Sequence, residues 1–259
     1  MFKWVFLLFF ISCNTLNAQV QLKPMAKFPL IDSKLIRVDN LGTLFYIDRQ
    51  NALHKLSDKG NLNYSNIQLG KIYSANAFND LRINLFYKDF NTIVLLDNRL
   101  AEIYKIDLNE LEPYKNISHI STGYDTTLWM FNVDSQQLEL YDYKSRTTKV
   151  TSLPVESNVL ELVTDYNYAW LLTENFLYKY NYQGSMISKI KNEGYKTLSQ
   201  EDENVVLSDG ENLFFLAEDS KEIQAIEMPE LLIKQFLLTN ETLYIYDGEI
   251  LHQFQLKIK

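Results

Sequence analysis

Cysteine is almost absent: Cys13 is the only one in 259 residues. The chain can form no internal disulfide and has no cysteine cluster for zinc or iron–sulfur binding. Histidine is nearly as scarce, with His54, His119 and His252. No H-x-x-x-H pair, EF-hand loop, phosphate-binding loop or G-x-S-x-G occurs, so no cofactor or catalytic motif is expected. Glycine (8) and proline (5) are too few for a low-complexity linker. Positive charge is in deficit, 25 Lys+Arg against 33 Asp+Glu, a net charge of -8. That balance argues against a nucleic-acid partner, because phosphate contacts need a basic surplus. Long apolar runs are missing too. Trp4 to Ile11 is continuously apolar but too short to cross a bilayer, and no later segment is longer.

That run follows Met1-Phe2-Lys3, the pattern of a secretory signal peptide. Ala18 supplies a small residue for cleavage, giving a signal over residues 1–18 and a mature chain over 19–259. A second reading uses Ile11-Ser12-Cys13, which resembles a bacterial lipobox with Cys13 as the lipidated residue. Phe10 is unusual three residues before such a cysteine, and cleavage after Ala18 is favoured. Either reading predicts an exported protein, periplasmic or secreted, or lipid-anchored at Cys13.

What is abundant is aromatic: 17 Tyr and 15 Phe. Such residues suit pleated, buried surfaces. Arg82 to Asp107 reads as three short strands joined by turns at Lys88–Asn91 and Asp97–Arg99. The pattern recurs. Leu44–Asp48, Ile93–Asp97, Leu128–Asn132, Ala169–Thr173, Val205–Asp209 and Leu243–Asp247 align as second strands, at spacings of roughly 49, 35, 41, 36 and 38 residues. Third strands follow, among them Leu53–Leu56, Ile103–Ile106 and Leu177–Tyr180. First strands precede, among them Leu35–Val38, Ile83–Tyr87 and Val159–Val163. The runs are near-continuously apolar, as in sheets covered on both faces. A period near 40 with several strands per unit predicts an all-β fold: a six-bladed β-propeller of four-stranded blades. The sixth unit ends after its third strand. The segment Val20–Lys27 is expected to supply the missing outer strand and close the ring, which removes an open edge. Pro24 is tolerable in an outermost strand.

LFYIDRQNALHKLSDKGNL, IVLLDNRLAEIYKID and LLTENFLYKYNYQGSM resemble bacterial six-bladed propellers of the loose NHL/TolB type. LFYKDFNTIVLLDNRL and the leader ending in NAQ are similar to uncharacterised exported propellers of flavobacterial type. The dense glycines of NHL repeats and the WD pairs of WD40 units are missing, so the resemblance implies a fold and transfers no catalytic residue.

Asp48, Asp97, Asp209 and Asp247 recur after strands, where turn chemistry explains them better than a calcium ring. Trp129 and Trp170 share a column and are assigned to packing. The longest interval maps to Gly70–Leu81, read as an insertion crossing one face toward the axis. Tyr73, Asn76, Phe78, Asn79, Asp80 and Arg82 are its candidate binding residues. The preferred function is a non-enzymatic binding or scaffold propeller of the bacterial envelope, monomeric, holding a protein or peptide partner through one face. The alternative is an enzyme with a polar or metal-dependent site in the central channel. An enzyme should show three or more Asp, Glu, Asn or His side chains converging there; Arg37, Asn84, His119, Glu161 and Gln200 are the polar candidates.

Overall fold

The computed structural model describes residues 20–218 and 220–258. The proposed leader and Cys13 lie outside the described residues. Alternating turn signals and apolar runs fold into four-strand antiparallel meanders. The first is β2 (Lys34–Val38), β3 (Leu44–Ile47), β4 (Leu53–Ser57) and β5 (Gly60–Tyr64), after β1 (Val20–Pro29). The second is β6 (Ser74–Asn76), β7 (Ile83–Tyr87), β8 (Thr92–Leu96) and β9 (Glu102–Asp107). Next come β10 (Ile117–Thr122), β11 (Thr127–Asn132), β12 (Gln137–Asp142) and β13 (Thr147–Thr151). They are followed by β14 (Val159–Thr164), β15 (Tyr168–Thr173), β16 (Phe176–Asn181) and β17 (Met186–Lys191). The last strands are β18 (Thr197–Glu201), β19 (Asn204–Ser208), β20 (Leu213–Leu216) and β21 (Ile223–Glu227), then β22 (Gln235–Thr239), β23 (Thr242–Tyr246) and β24 (Ile250–Ile258).

Four sheets of four strands stand separately among the described residues. A fifth has eight strands, ordered β18-β19-β20-β21-β1-β24-β23-β22. Two parallel pairs, Val20 with Ile226 and Gln21 with Glu227, join its halves. Six separate sheets were expected; this junction is the difference. β1 runs antiparallel to β24 from Val20–Ile258 to Pro29–Ile250, with Pro24 beside a bulge.

The innermost strands β2, β6, β10, β14, β18 and β22 follow one another around an axis, and β22 returns to β2. Apolar clusters fill the spaces between successive meanders. Phe45, Ile47 and Leu53 pack on Leu85, Tyr87 and Val94. Trp129 packs toward Leu171, and Trp170 toward Leu198 and Leu207. Leu35 and Val38 meet Tyr244, Tyr246 and Leu251. This is an all-β propeller in which the second strands β7, β11, β15, β19 and β23 are buried on both faces, as their apolar runs require, while the outermost strands β5, β13 and β17 are largely exposed.

One register differs from the sequence reading. β6 is the innermost strand of its sheet, so Ile83–Tyr87 is a second strand and Arg82–Asp107 forms the outer three. The supposed insertion at 70–81 therefore contains a strand. With the second strands taken as β3, β7, β11, β15, β19 and β23, the spacing evens to roughly 36–44 residues. β6 was illegible because it has three residues, Ser-Ala-Asn, with no apolar run.

Candidate functional site in the central channel

A channel of about 480 Å³ runs along the axis, lined by all six innermost strands. Its entry face is where those strands begin and its exit face is where they end. Each strand places one residue opposite the same point of its second strand: Lys34, Ser74, His119, Glu161, Thr197 and Gln235. All six are polar and all line the channel. Bulges precede His119 in β10 and Glu161 in β14. An extra residue in a strand re-aims the side chain that follows it, and His119 and Glu161 are placed that way.

Members of this layer reach for the next strand around the ring. Lys34 Nζ donates to the Tyr73 carbonyl at 2.7 Å. Glu161 Oε2 accepts from Leu198 N at 2.9 Å. Gln235 grips Leu35 twice: its Oε1 accepts from N at 2.7 Å and its Nε2 donates to O at 3.2 Å. Burial raises the Glu161 carboxyl to about 7, offset only in part by the Leu198 N–H and the charge of Lys34. Burial lowers Lys34, against the pull of Glu161, and Lys71 lowers it further. Burial, aided by the charge of Lys88, holds His119 down to about 4. Near neutral pH the layer therefore holds a neutral imidazole, an ammonium and a carboxyl poised between its two states.

Toward the exit face the wall is committed to structure. Asn76 donates to Ser121 Oγ at 3.1 Å and accepts from Thr122 Oγ1 at 2.9 Å and Phe78 N at 3.0 Å. Arg37 lies over the Phe78 ring at 5.1 Å and pairs with Glu201 at 3.5 Å. Phe78 meets Tyr166 edge-on at 5.0 Å. These contacts link β2, β18 and the turns after β6 and β14 at the exit end of the channel.

The sequence-derived set is thus divided. Tyr73 stands at the entry face, under Lys88 Nζ at 4.5 Å. Phe78, Asn79, Asp80 and Arg82 lie at the exit face, with Asn76 between. Asn79 Oδ1 caps Leu81 N, and Asp80 is exposed. Arg82 is buried and donates to the Gly123 carbonyl at 2.6 Å, so it braces a turn. Asn84, on a second strand, bonds Thr122 Oγ1 at 2.8 Å and lies outside the channel lining. Gln200 lines it, with Oε1 unpartnered. The turn assignments agree: the Oδ1 atoms of Asp48, Asp97, Asp209 and Asp247 accept backbone N–H groups within their turns. His54 and His252 bond Asp48 and Asp247 at 2.7 and 2.8 Å, away from the axis. No group of three or more His, Cys, Asp or Glu able to hold a metal occurs among the described residues.

No protein-family profile and no curated protein sequence matches the chain. Solved structures do match in fold. A catalytically inactive virginiamycin B lyase from Staphylococcus aureus, crystallised with quinupristin, aligns at TM-score 0.62 and 12% identity, over 87% of this chain and 80% of that one. The β-propeller domain of Cps50 (Swd1) from Myceliophteria thermophila aligns at 0.64 and 10%, over 91% and 100%. A chain of the mitotic checkpoint complex aligns at 0.60 and 10%, over 92% and 86%. The likeness is to propellers as a fold, and it includes an enzyme as well as a chain of a protein complex.

Proposed function

We propose that this chain is a non-enzymatic binding propeller of the bacterial envelope that holds a protein or peptide partner against its entry face. In this reading the eight-stranded sheet counts as two blades, giving six. β1 closes the ring, and residues 19–259 form one exported, monomeric domain after a leader at 1–18.

One observation carries the choice of face. Ile31, Ile67, Tyr73, Phe90, Tyr114, Val133, Leu153 and Leu232 are exposed in connections that emerge there. Ile67 and Leu153 are 94% and 84% exposed. The exit face offers Leu41, Leu81, Tyr166 and Tyr182. Apolar side chains gathered on one face mark interaction surfaces, because water contact costs free energy that a partner recovers. The propeller assemblies among the structural matches are consistent with this use.

Site-specific photocrosslinkers at Ile67, Leu153 and Leu41 in envelope fractions provide the test. The same adduct should form at Ile67 and Leu153 and be missing at Leu41. Leu153→Asp should cut its yield about tenfold without changing the melting temperature. Equal labelling at all three sites, or no adduct at any, would remove the reading.

A further inference from the structure

Glu161 and Lys34 project from β14 and β2, strands on opposite sides of the ring, and they influence each other electrostatically across the channel. No ion pair joins them among the described residues. Each is half used. Lys34 spends one of its three N–H donors on the Tyr73 carbonyl. Glu161 spends Oε2 on Leu198 N and leaves Oε1 open. A charge held in a protein channel without a counter-charge at contact distance is costly, and a ligand that supplies one gains what the protein lacks. Glu161 is half-buried in the channel wall and Lys34 is exposed at its entry, so opposite charges stand on opposite walls, with Ser74, Thr197 and Gln235 in the same layer.

We propose that the channel is a binding site for a small zwitterion, an ammonium and a carboxylate on one short ligand, with the ammonium on Glu161 and the carboxylate on Lys34. Ile36, Leu160 and Leu237, each only partly buried, supply apolar wall for a side chain. The volume is within the range of small-molecule sites. A ligand with only one charge leaves the opposite wall uncompensated, so both charges are needed. Free amino acids and the ends of short peptides share this chemistry. The inference is independent of the partner face, since nothing in it requires the exposed apolar side chains.

Calorimetric titration of the full chain with L-leucine, the dipeptide Ala-Leu, and the N-acetyl and methyl ester derivatives of L-leucine separates the cases. At least one of the first two should bind, and both blocked derivatives should bind about tenfold or more weakly. Binding of L-leucine alone assigns the site to free amino acids; binding of Ala-Leu alone assigns it to peptide ends. Repeating the titration at pH 7 in buffers of different ionisation enthalpy reads the proton balance. Seating an ammonium on Glu161 should drive off about half a proton per ligand. The other titratable or charged groups of this region are Arg37 on β2, Lys71 and Tyr73 before β6, Lys88 after β7, His119 on β10 and Lys234 before β22. His119 is already neutral at that pH. Glu161→Gln should abolish the proton release and weaken L-leucine more than its N-acetyl derivative; Lys34→Gln should do so relative to the methyl ester. No heat from any ligand, or equal affinity for free and blocked forms, overturns the proposal. Loss of the crosslinked adduct would leave it untouched.

Discussion

Glu161 and Gln235 occupy equivalent positions in β14 and β22, and one atom separates what they do. The Gln235 amide satisfies both backbone groups of Leu35, whereas the Glu161 carboxylate satisfies only the N–H of Leu198. The folded pKa of Glu161, about 7, lies above the ordinary carboxyl value. Its contribution is therefore fully present below pH 4.5 and is lost as pH rises through about 7. Glu161→Gln should raise unfolding free energy by about 2 kcal/mol at pH 8.5 and change it little at pH 4, read by urea titration. His119 works at the other limb. Its pKa is depressed in the fold, so stability present above pH 6.5 is lost as pH falls through about 4. His119→Gln should flatten that acid limb, removing a loss of at most roughly 3 kcal/mol. Lys115 and Glu139 form a buried pair off the channel, and Asn132 also donates to Glu139, at 2.9 Å. Lys115→Met would strand the carboxylate and should cost roughly 3 kcal/mol in the same assay at pH 7.

At the scale of strands, legibility followed apolar content. The long runs around Ile93, Trp129, Trp170 and Val206 identified their strands because nearly every side chain in them is buried. β6 carries no such run and its sequence reads as a loop, which shifts one sheet by a strand and gives the innermost place to Asn84 instead of Ser74. The bulges before His119 and Glu161 were equally hidden, since an extra residue in a strand changes no composition. Both residues stood among the polar candidates; what the sequence could not supply was their common layer with Lys34. Phe78 and Tyr73, adjacent in the chain's reading as one site, separate because a strand crosses the full depth of the channel between them. β1 shows the opposite case: an absent fourth strand at the end of the chain pointed to its pairing with β24. Removing residues 20–29 should expose the β24 and β21 edges, lower the melting temperature and promote association, seen by light scattering. A truncated chain with unchanged scattering and unchanged melting would show that β1 stabilises little.

Across the whole molecule, the innermost strands are tied to one another by side chains as well as by apolar packing. Thr164 bonds Ser121 at 2.8 Å, Ser199 accepts from Leu238 N at 2.9 Å, and Thr239 donates to the Val38 carbonyl at 2.8 Å. Such links hold the channel wall and leave the connections above it to carry recognition. Gln235→Leu removes two bonds across one junction and leaves Leu35 N–H and C=O to the channel water. It should cost about 1–3 kcal/mol and weaken zwitterion binding by deforming the layer beside Lys34. The pairing of β1 with β21 has a further consequence, in time. Gln21 meets Glu227 across 206 residues of chain. However the chain is delivered to its compartment, β1 must wait through an interval in which that edge does not yet exist, because the contact is among the most non-local in the fold. Throughout that interval an early strand is unpaired while successive sheets assemble, and whatever shields it then decides whether the molecule closes on itself or on a neighbour.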